Sequence, residues 1–442
     1  MGVQEIPIQN PETTVVPPKG RAVRSRFGMR LMSFLMVFGP GLIVMVADND
    51  AGAVSTYTQA GARYGLNLLW VMLLLLPVTF FCQEMGVRLG IATGRGLAAM
   101  IYQRFGKWWG RFSLADLQLV NFLTLVTEFA MIELALSKFG IPGYASVPIA
   151  AAGLIVVVVT GSYLRWERVS VILCFMNVGW IAFALMAKPG AANVVQRALI
   201  PSLPAGGITS ELVFLLVAIV GTTVAPWQLF FQQSCIADKR LRFKDLNRER
   251  LDTLIGAVFT ICNAGAMMMV GNVLYTRGLP YHDPSQMAML LGPIMGSYVK
   301  YGVLLLMVNA AVLGAMAITL ASSWALGEVM GWPHSLQKPV REAPGFYGLY
   351  IGAVVGAAAI VLIPNAPLQL IIIGVQVLAG LMLPSALIFL QLLLNDRQLL
   401  GPFANKRWNN VINWTVIVVL FVLSAVLAAQ VLLPNTRFVL PG

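Results

Sequence analysis

The chain has 442 residues, 58% of them hydrophobic and 11% charged. Its mean hydropathy of +0.79 places most of its length in hydrocarbon rather than water, which excludes a soluble globular enzyme and a disordered chain. A net charge of +12 suits a nucleic-acid binder in principle, but 22 of the 30 Lys and Arg fall in the N-terminal stretch and in every second loop after it, the pattern of cytosolic loops in a membrane protein.

Residues 1–30 hold no apolar core and no signal peptide, only Pro, Gly and basic residues such as Lys19, Arg21, Arg24, Arg26 and Arg30, and read as a cytosolic tail. A crossing helix needs about 20 mostly apolar residues. Eleven such stretches follow, near 33–62, 66–92, 112–138, 146–164, 168–187, 209–237, 252–275, 297–325, 347–363, 367–394 and 411–433. With the tail inside, an odd number of crossings places the C-terminus outside.

The first stretch contains "VADNDAG", Val46 to Gly52, which sets Asp48, Asn49 and Asp50 at mid-membrane. A carboxylate there costs several kcal/mol unless it pairs, faces water or binds something. Gly52 weakens a helix and "GPG", Gly39 to Gly41, loosens its start, so the segment reads as a break that frees carbonyls beside two carboxylates. The second stretch ends with Glu84 and Arg88, four apart, a helical ion pair worth a few tenths of a kcal/mol. The third carries Glu128 and Glu133, each a candidate proton relay, helix-end charge or structural partner. Arg165 and Glu167 fall at the short turn between the fourth and fifth stretches.

The sixth stretch reads "GTTVAPWQLFFQQS", Gly221 to Ser234, where Pro226 removes a donor and clashes with the carbonyl of Thr222. The loop after it, "DKRLRFKDLNRER", Asp238 to Arg250, is the densest basic cluster, a topology signal beside anionic lipid. Met267, Met268 and Met269 in the seventh stretch read as packing or lipid-facing bulk. Cys82, Cys174, Cys235 and Cys262 have no pairing pattern and read as small packing residues.

Two broken helices at corresponding places in two five-helix halves, 31–190 and 205–395, with an eleventh helix at 408–434, match transporters built from inverted repeats, whose substrate binds at the midplane. Proline kinks and buried aspartates also serve as structural joints in receptors and membrane enzymes, which accounts for either break but less naturally for both. Carboxylates with freed carbonyls make a hard-oxygen site, suited to Mg²⁺, Ca²⁺, Mn²⁺ or an alkali ion. The two histidines, His282 and His334, both fall in loops, so a histidine-rich metal centre is excluded. No nucleophile with its base and no phosphate loop supports catalysis, and no cofactor is implied.

Four segments resemble the Nramp divalent-metal transporters: "GPGLIVMVADNDAGAVSTYTQAGARYG", "QEMGVRLGIATGRGL", "TVAPWQLFFQQS" and "QVLAGLMLPSALIFLQLLLNDRQLLG", spread from Gly39 to Gly401. The resemblance implies an all-α polytopic fold of LeuT-like 5+5 inverted repeats with helices one and six broken. It also implies that Asp50 is the primary metal ligand, that the backbone carbonyls of Ala47 and Thr222 face the ion, and that Gln376 approaches it. Asp48 and Asn49 are further candidates on the same break, for the ion or its waters. The family's Asp-Pro-Gly-Asn becomes "DAGA", Asp50 to Ala53, and its Met-Pro-His becomes "APW", Ala225, Pro226 and Trp227. The soft thioether and the imidazole are lost. Ala53, Ala225, Pro226, Trp227 and Asn263 are then expected to shape the cavity rather than bind. The pattern resembles the Nramp-related magnesium transporters, which implies hydrated Mg²⁺ as substrate, with Mn²⁺ also accepted, and uptake without protons. A proton-coupled Mn²⁺ or Fe²⁺ importer is the alternative, and a membrane-embedded enzyme or receptor the third.

Overall fold

The structure, a computed structural model, describes residues 40–160, 163–204, 207 and 209–432. The basic tail at 1–30, the first expected span before residue 40 and the chain after residue 432 lie outside the described residues. Hydrocarbon offers the backbone no hydrogen-bond partner, so each crossing must close its own ladder. Accordingly, among the described residues every regular element is a helix.

The first crossing is made of two halves, α1 (Pro40–Ala47) and α2 (Ala51–Tyr64). Then come α3 (Leu69–Thr93), α4 (Leu97–Ser137), α5 (Gly143–Val159), the pair α6 (Tyr163–Met176) and α7 (Val178–Met186), and a short α8 (Ala191–Leu199). The sixth crossing is again split, into α9 (Ser210–Thr223) and α10 (Pro226–Lys239). It is followed by α11 (Leu246–Thr276), α12 (Pro284–Met295), α13 (Ser297–Met330), α14 (Pro344–Val361), α15 (Leu368–Leu394), a single turn α16 (Arg397–Leu400) and α17 (Arg407–Leu432).

Packing displays the repeat. The split first crossing packs on α11 and the split sixth on α3; α4 packs on α13, and α5 on α14; α15 packs on α4, and α6 and α7 on α13. Moving every partner five crossings along exchanges the first two of these pairings, exchanges the last two, and returns α4 with α13 and α5 with α14 to themselves, as two five-helix halves require. The approach is backbone to backbone where it matters most: Gly61 of α2 lies on the carbonyl of Met268, and Gly271 of α11 on the carbonyl of Thr58. Small residues at such crossings let helices associate in lipid, where burial of apolar surface gives no drive.

Several expectations need correction. The segment between the second and third spans is not a loop: α4 starts at Leu97 and bends at Gly106, whose φ of 88° suits glycine. Arg165 and Glu167 are not in a turn but in the first turns of α6, and Glu167 accepts from Lys239 Nζ at 2.6 Å. The fifth crossing is interrupted at Asn177. Three helices fall outside the expected spans: α8, with Val195 and Leu199 exposed; α12, whose N-cap Asp283 accepts from Ser285 and Gln286 N–H; and the single turn α16, capped by Asp396. Cys262 is exposed rather than packed inside. Glu84 and Arg88 do pair, at 3.1 Å, but both are buried, Arg250 of α11 joins Glu84 at 2.6 Å, and Arg88 also donates to the carbonyl of Phe403. Breaking such a buried cluster costs about 3–5 kcal/mol rather than tenths.

Candidate cation site

The first break is three residues long. Where α1 ends, Asn49 N–H still reaches the carbonyl of Val46 at 3.0 Å, and Asp50 then turns extended at φ −77°, ψ −168°. Asp50 is the N-cap of α2: its Oδ1 accepts from Ala53 N–H at 2.9 Å. The neighbouring Ala51 N–H donates to Glu128 Oε2 at 3.1 Å, from α4. Two orphan donors of the half-helix are thus met by two carboxylates, which also suit its positive end.

A consequence falls on Ala47. The helical donor for its carbonyl would be Ala51 N–H, and Glu128 has taken that donor. In the second break, the donor for the carbonyl of Thr222 would be residue 226, a proline with none to give. Val224 and Ala225 are extended there, and Pro226 opens α10 at its first position instead of kinking a continuous helix. Both carbonyls singled out in the sequence are freed, one by a tertiary contact and one by sequence.

The side chains around the breaks are shut off from both faces: Asp48, Asn49, Asp50, Thr222, Gln376 and Glu128 are at most 2% exposed. Asp48 Oδ1 accepts from Gln228 Nε2. Its Oδ2, both polar atoms of Asn49, Thr222 Oγ1, Gln376 Nε2 and Glu128 Oε1 have no protein partner. Each such buried orphan costs about 1–3 kcal/mol. Orphans gathered on the two breaks and on the helices beside them suit completion by water or a cation.

Gly52 has another role than the one expected. It lies inside α2, and a Cβ there would overlap the amide of Gln376, so the glycine admits Gln376 to the break rather than weakening the helix. Gly314 of α13 does the same for two carboxylates: a Cβ on it would lie 2.8 Å from Asp50 Cβ and 3.0 Å from the Glu128 carboxyl. Glu128 therefore joins Asp50 at the site. Glu133, more than a turn further along α4, is only half-buried and lies by Gly143.

Ala53, Ala225 and Trp227 are buried and offer no side-chain ligand atom. Trp227 stands edge-on to Phe231, ring centroids 6.1 Å apart, and Phe231 in turn packs on Trp166 and Trp324. Asn263 is buried, donates to the carbonyl of Phe259 on its own helix and leaves its Oδ1 without a protein partner. Met45, just before the first break, turns its side chain to Gly256 of α11. Among the described residues no group of three or more His, Cys, Asp and Glu is set to hold a metal. Two site partners escaped the sequence reading, Gln228 and Gln83. Each is an uncharged polar side chain within a lipid-length helix, which is a signal in itself.

The Nramp family model, natural resistance-associated macrophage protein-like, matches residues 41–430. A divalent metal cation transporter, MntH, of Staphylococcus aureus is 25% identical over 421 residues, which cover 90% of this chain and 91% of that one. The manganese transporter of Eremococcus coleocola, solved with an aromatic bis-isothiourea substituted compound, superposes with a TM-score of 0.76 at 19% identity over 96% of this chain and 92% of its own. MhsT in complex with L-phenylalanine superposes at 0.58 with 14% identity, over 89% and 98% of the two chains. At these identities the likeness is one of fold, and it is the fold of two inverted five-helix halves. On the strength of the family match across nearly its whole length, the chain belongs to the Nramp family.

Proposed function

We propose that this chain carries hydrated Mg²⁺, and also Mn²⁺, across the membrane by alternating access to the site between its two breaks, driven by the membrane potential and not by protons. The N-terminus lies in the cytoplasm and the C-terminus outside. The coarser statement, a divalent-metal transporter of the Nramp type and not an enzyme, rests on the family and on its relatives named as metal transporters.

One observation carries the choice of ion. The two break segments, Val46 to Ala53 and Gly221 to Gln228, hold no sulfur and no imidazole, and the positions of the family's Met and His are Ala225 and Trp227. What remains are oxygens: Asp50, Asp48 Oδ2, Asn49 Oδ1, Thr222 Oγ1 and the carbonyls of Ala47 and Thr222. The waters around a cation are hydrogen-bond donors, so a hydrated ion needs buried acceptors, and Mg²⁺ sheds its water reluctantly. A divalent ion entering an inside-negative cell gains about 4.6 kcal/mol per 100 mV, enough to drive uptake alone.

A second reading, proton-coupled Mn²⁺ import, has two observations in its favour: the likeness to a protein named as a manganese transporter, and the buried carboxylate of Glu128 beside Asp50. Influx into proteoliposomes loaded with an Mg²⁺-sensitive dye tests the first reading. Saturable Mg²⁺ entry lost in Asp50→Ala is expected; Mn²⁺ entry without Mg²⁺ entry would return the chain to the second.

A further inference from the structure

Gln83, Gln228 and Asp48 form a hydrogen-bonded chain between α3, the first turn of α10 and the end of α1. Gln83 Nε2 donates to Gln228 Oε1 at 2.9 Å, and Gln228 Nε2 donates to Asp48 Oδ1. All three side chains are fully buried. The chemistry of the ends fixes the direction. A carboxylate only accepts, so Gln228 must turn its NH₂ to Asp48, and its carbonyl oxygen is left to receive from Gln83. The chain bridges the two broken helices. It spends one Asp48 oxygen and leaves Oδ2 without a protein partner, next to an Asn49 amide in the same condition.

From this we infer that Gln228, backed by Gln83, is a positioning residue for the cargo: it aims Asp48 Oδ2 at the cation or its water and makes Asp48 the second acidic contact beside Asp50. The inference rests on the proposed transport of a divalent cation and deepens it. Asp50 also accepts from the protein, in capping Ala53, so each carboxylate is held in place by the fold while keeping lone pairs for the ion or its water. Two half-engaged carboxylates supply the charge of a divalent site while leaving room for retained water. Partners that orient a metal-binding carboxylate change metal affinity by about 10- to 100-fold. A purely structural role for Gln228 would instead lower the yield of folded protein or the maximal rate.

The test is a set of uptake curves in dye-loaded proteoliposomes, with Mg²⁺ and in parallel with Mn²⁺, for the wild type, Gln228→Leu, Gln83→Leu, Asp48→Asn and the double variant Asp48→Asn with Gln228→Leu. Gln228→Leu is expected to raise the half-saturating concentration about tenfold or more with the maximal rate held within about twofold. Gln83→Leu shifts it in the same direction by less. In the Asp48→Asn background, Gln228→Leu adds nothing further. An unchanged half-saturation, a loss of maximal rate alone, or independent effects of the two substitutions overturns the inference. If Gln228→Leu gives no folded transporter, Gln83→Leu decides, since it leaves both breaks intact; no shift in that variant overturns the role. Should the wild type carry Mn²⁺ and not Mg²⁺, the choice of ion fails, while the role of Gln228 is still read from the Mn²⁺ curves.

Discussion

On the proposed reading, the Asp50 carboxylate serves both the fold and the cargo. Oδ1 caps α2 through Ala53 N–H, a contact worth about 1 kcal/mol. Asp50→Asn keeps that acceptor and removes the charge, so the variant is expected to fold to wild-type yield and thermal stability while losing Mg²⁺ influx by about tenfold or more. Near-normal influx in Asp50→Asn would show that the charge is not used. Restoring the soft donors works in the opposite sense. Ala225→Met combined with Trp227→His should move the preference from Mg²⁺ toward Mn²⁺ by about tenfold or more in competition uptake, because a thioether binds soft ions well and hard ones poorly. Glu128→Gln retains an acceptor for Ala51 N–H and removes a proton carrier. Without proton coupling, its Mg²⁺ influx under an imposed inside-negative potential stays close to that of the wild type in dye-loaded proteoliposomes. Much of the site was readable at this scale, since Asp48, Asp50 and Pro226 are costly in a lipid-length segment. The choice between Glu128 and Glu133 was not, because it depends on a contact between residues 77 apart.

At the scale of elements, both halves of the first crossing lie close on α11. α2 meets it backbone to backbone at Gly61 and Gly271, and α1 at Gly41 and Gly256. α1 is also tied to α11 by side chains: Asp252 Oδ2 accepts from Leu42 N–H at 3.1 Å, and Thr260 Oγ1 donates to the carbonyl of Met45. Asp252→Ala is accordingly expected to free the start of α1. A cysteine introduced as Leu42→Cys, at a position 5% exposed, should then label with a water-soluble maleimide several-fold faster than in the parent; equal labelling would show that Asp252 does not restrain α1. The breaks were legible because each carries a chemical reason. α8, α12 and the early start of α4 were missed because they are short, polar or charged, and a search for apolar length passes over them. The Asp283–Pro284–Ser285 start of α12 was the overlooked signal, an N-cap followed by proline at the first helical position.

Across the whole molecule, the two halves share no visible internal identity, yet the contacts between their helices exchange under the repeat operation. Burial and close packing therefore preserve the architecture where individual residues do not. On the proposed orientation, the basic loops face the cytoplasm, with the Glu84, Arg88 and Arg250 cluster on the same side. Single cysteines at two exposed positions test this. Arg277→Cys should label with an impermeant reagent added outside intact cells and Lys338→Cys should not; the reverse pattern would invert the orientation. The most direct test of an uncoupled magnesium transporter is to record Mg²⁺ entry and internal pH together, in proteoliposomes under an imposed inside-negative potential. Potential-dependent Mg²⁺ entry with no acidification is the predicted result, and Mg²⁺ or Mn²⁺ entry that acidifies the lumen in step with the metal would contradict it.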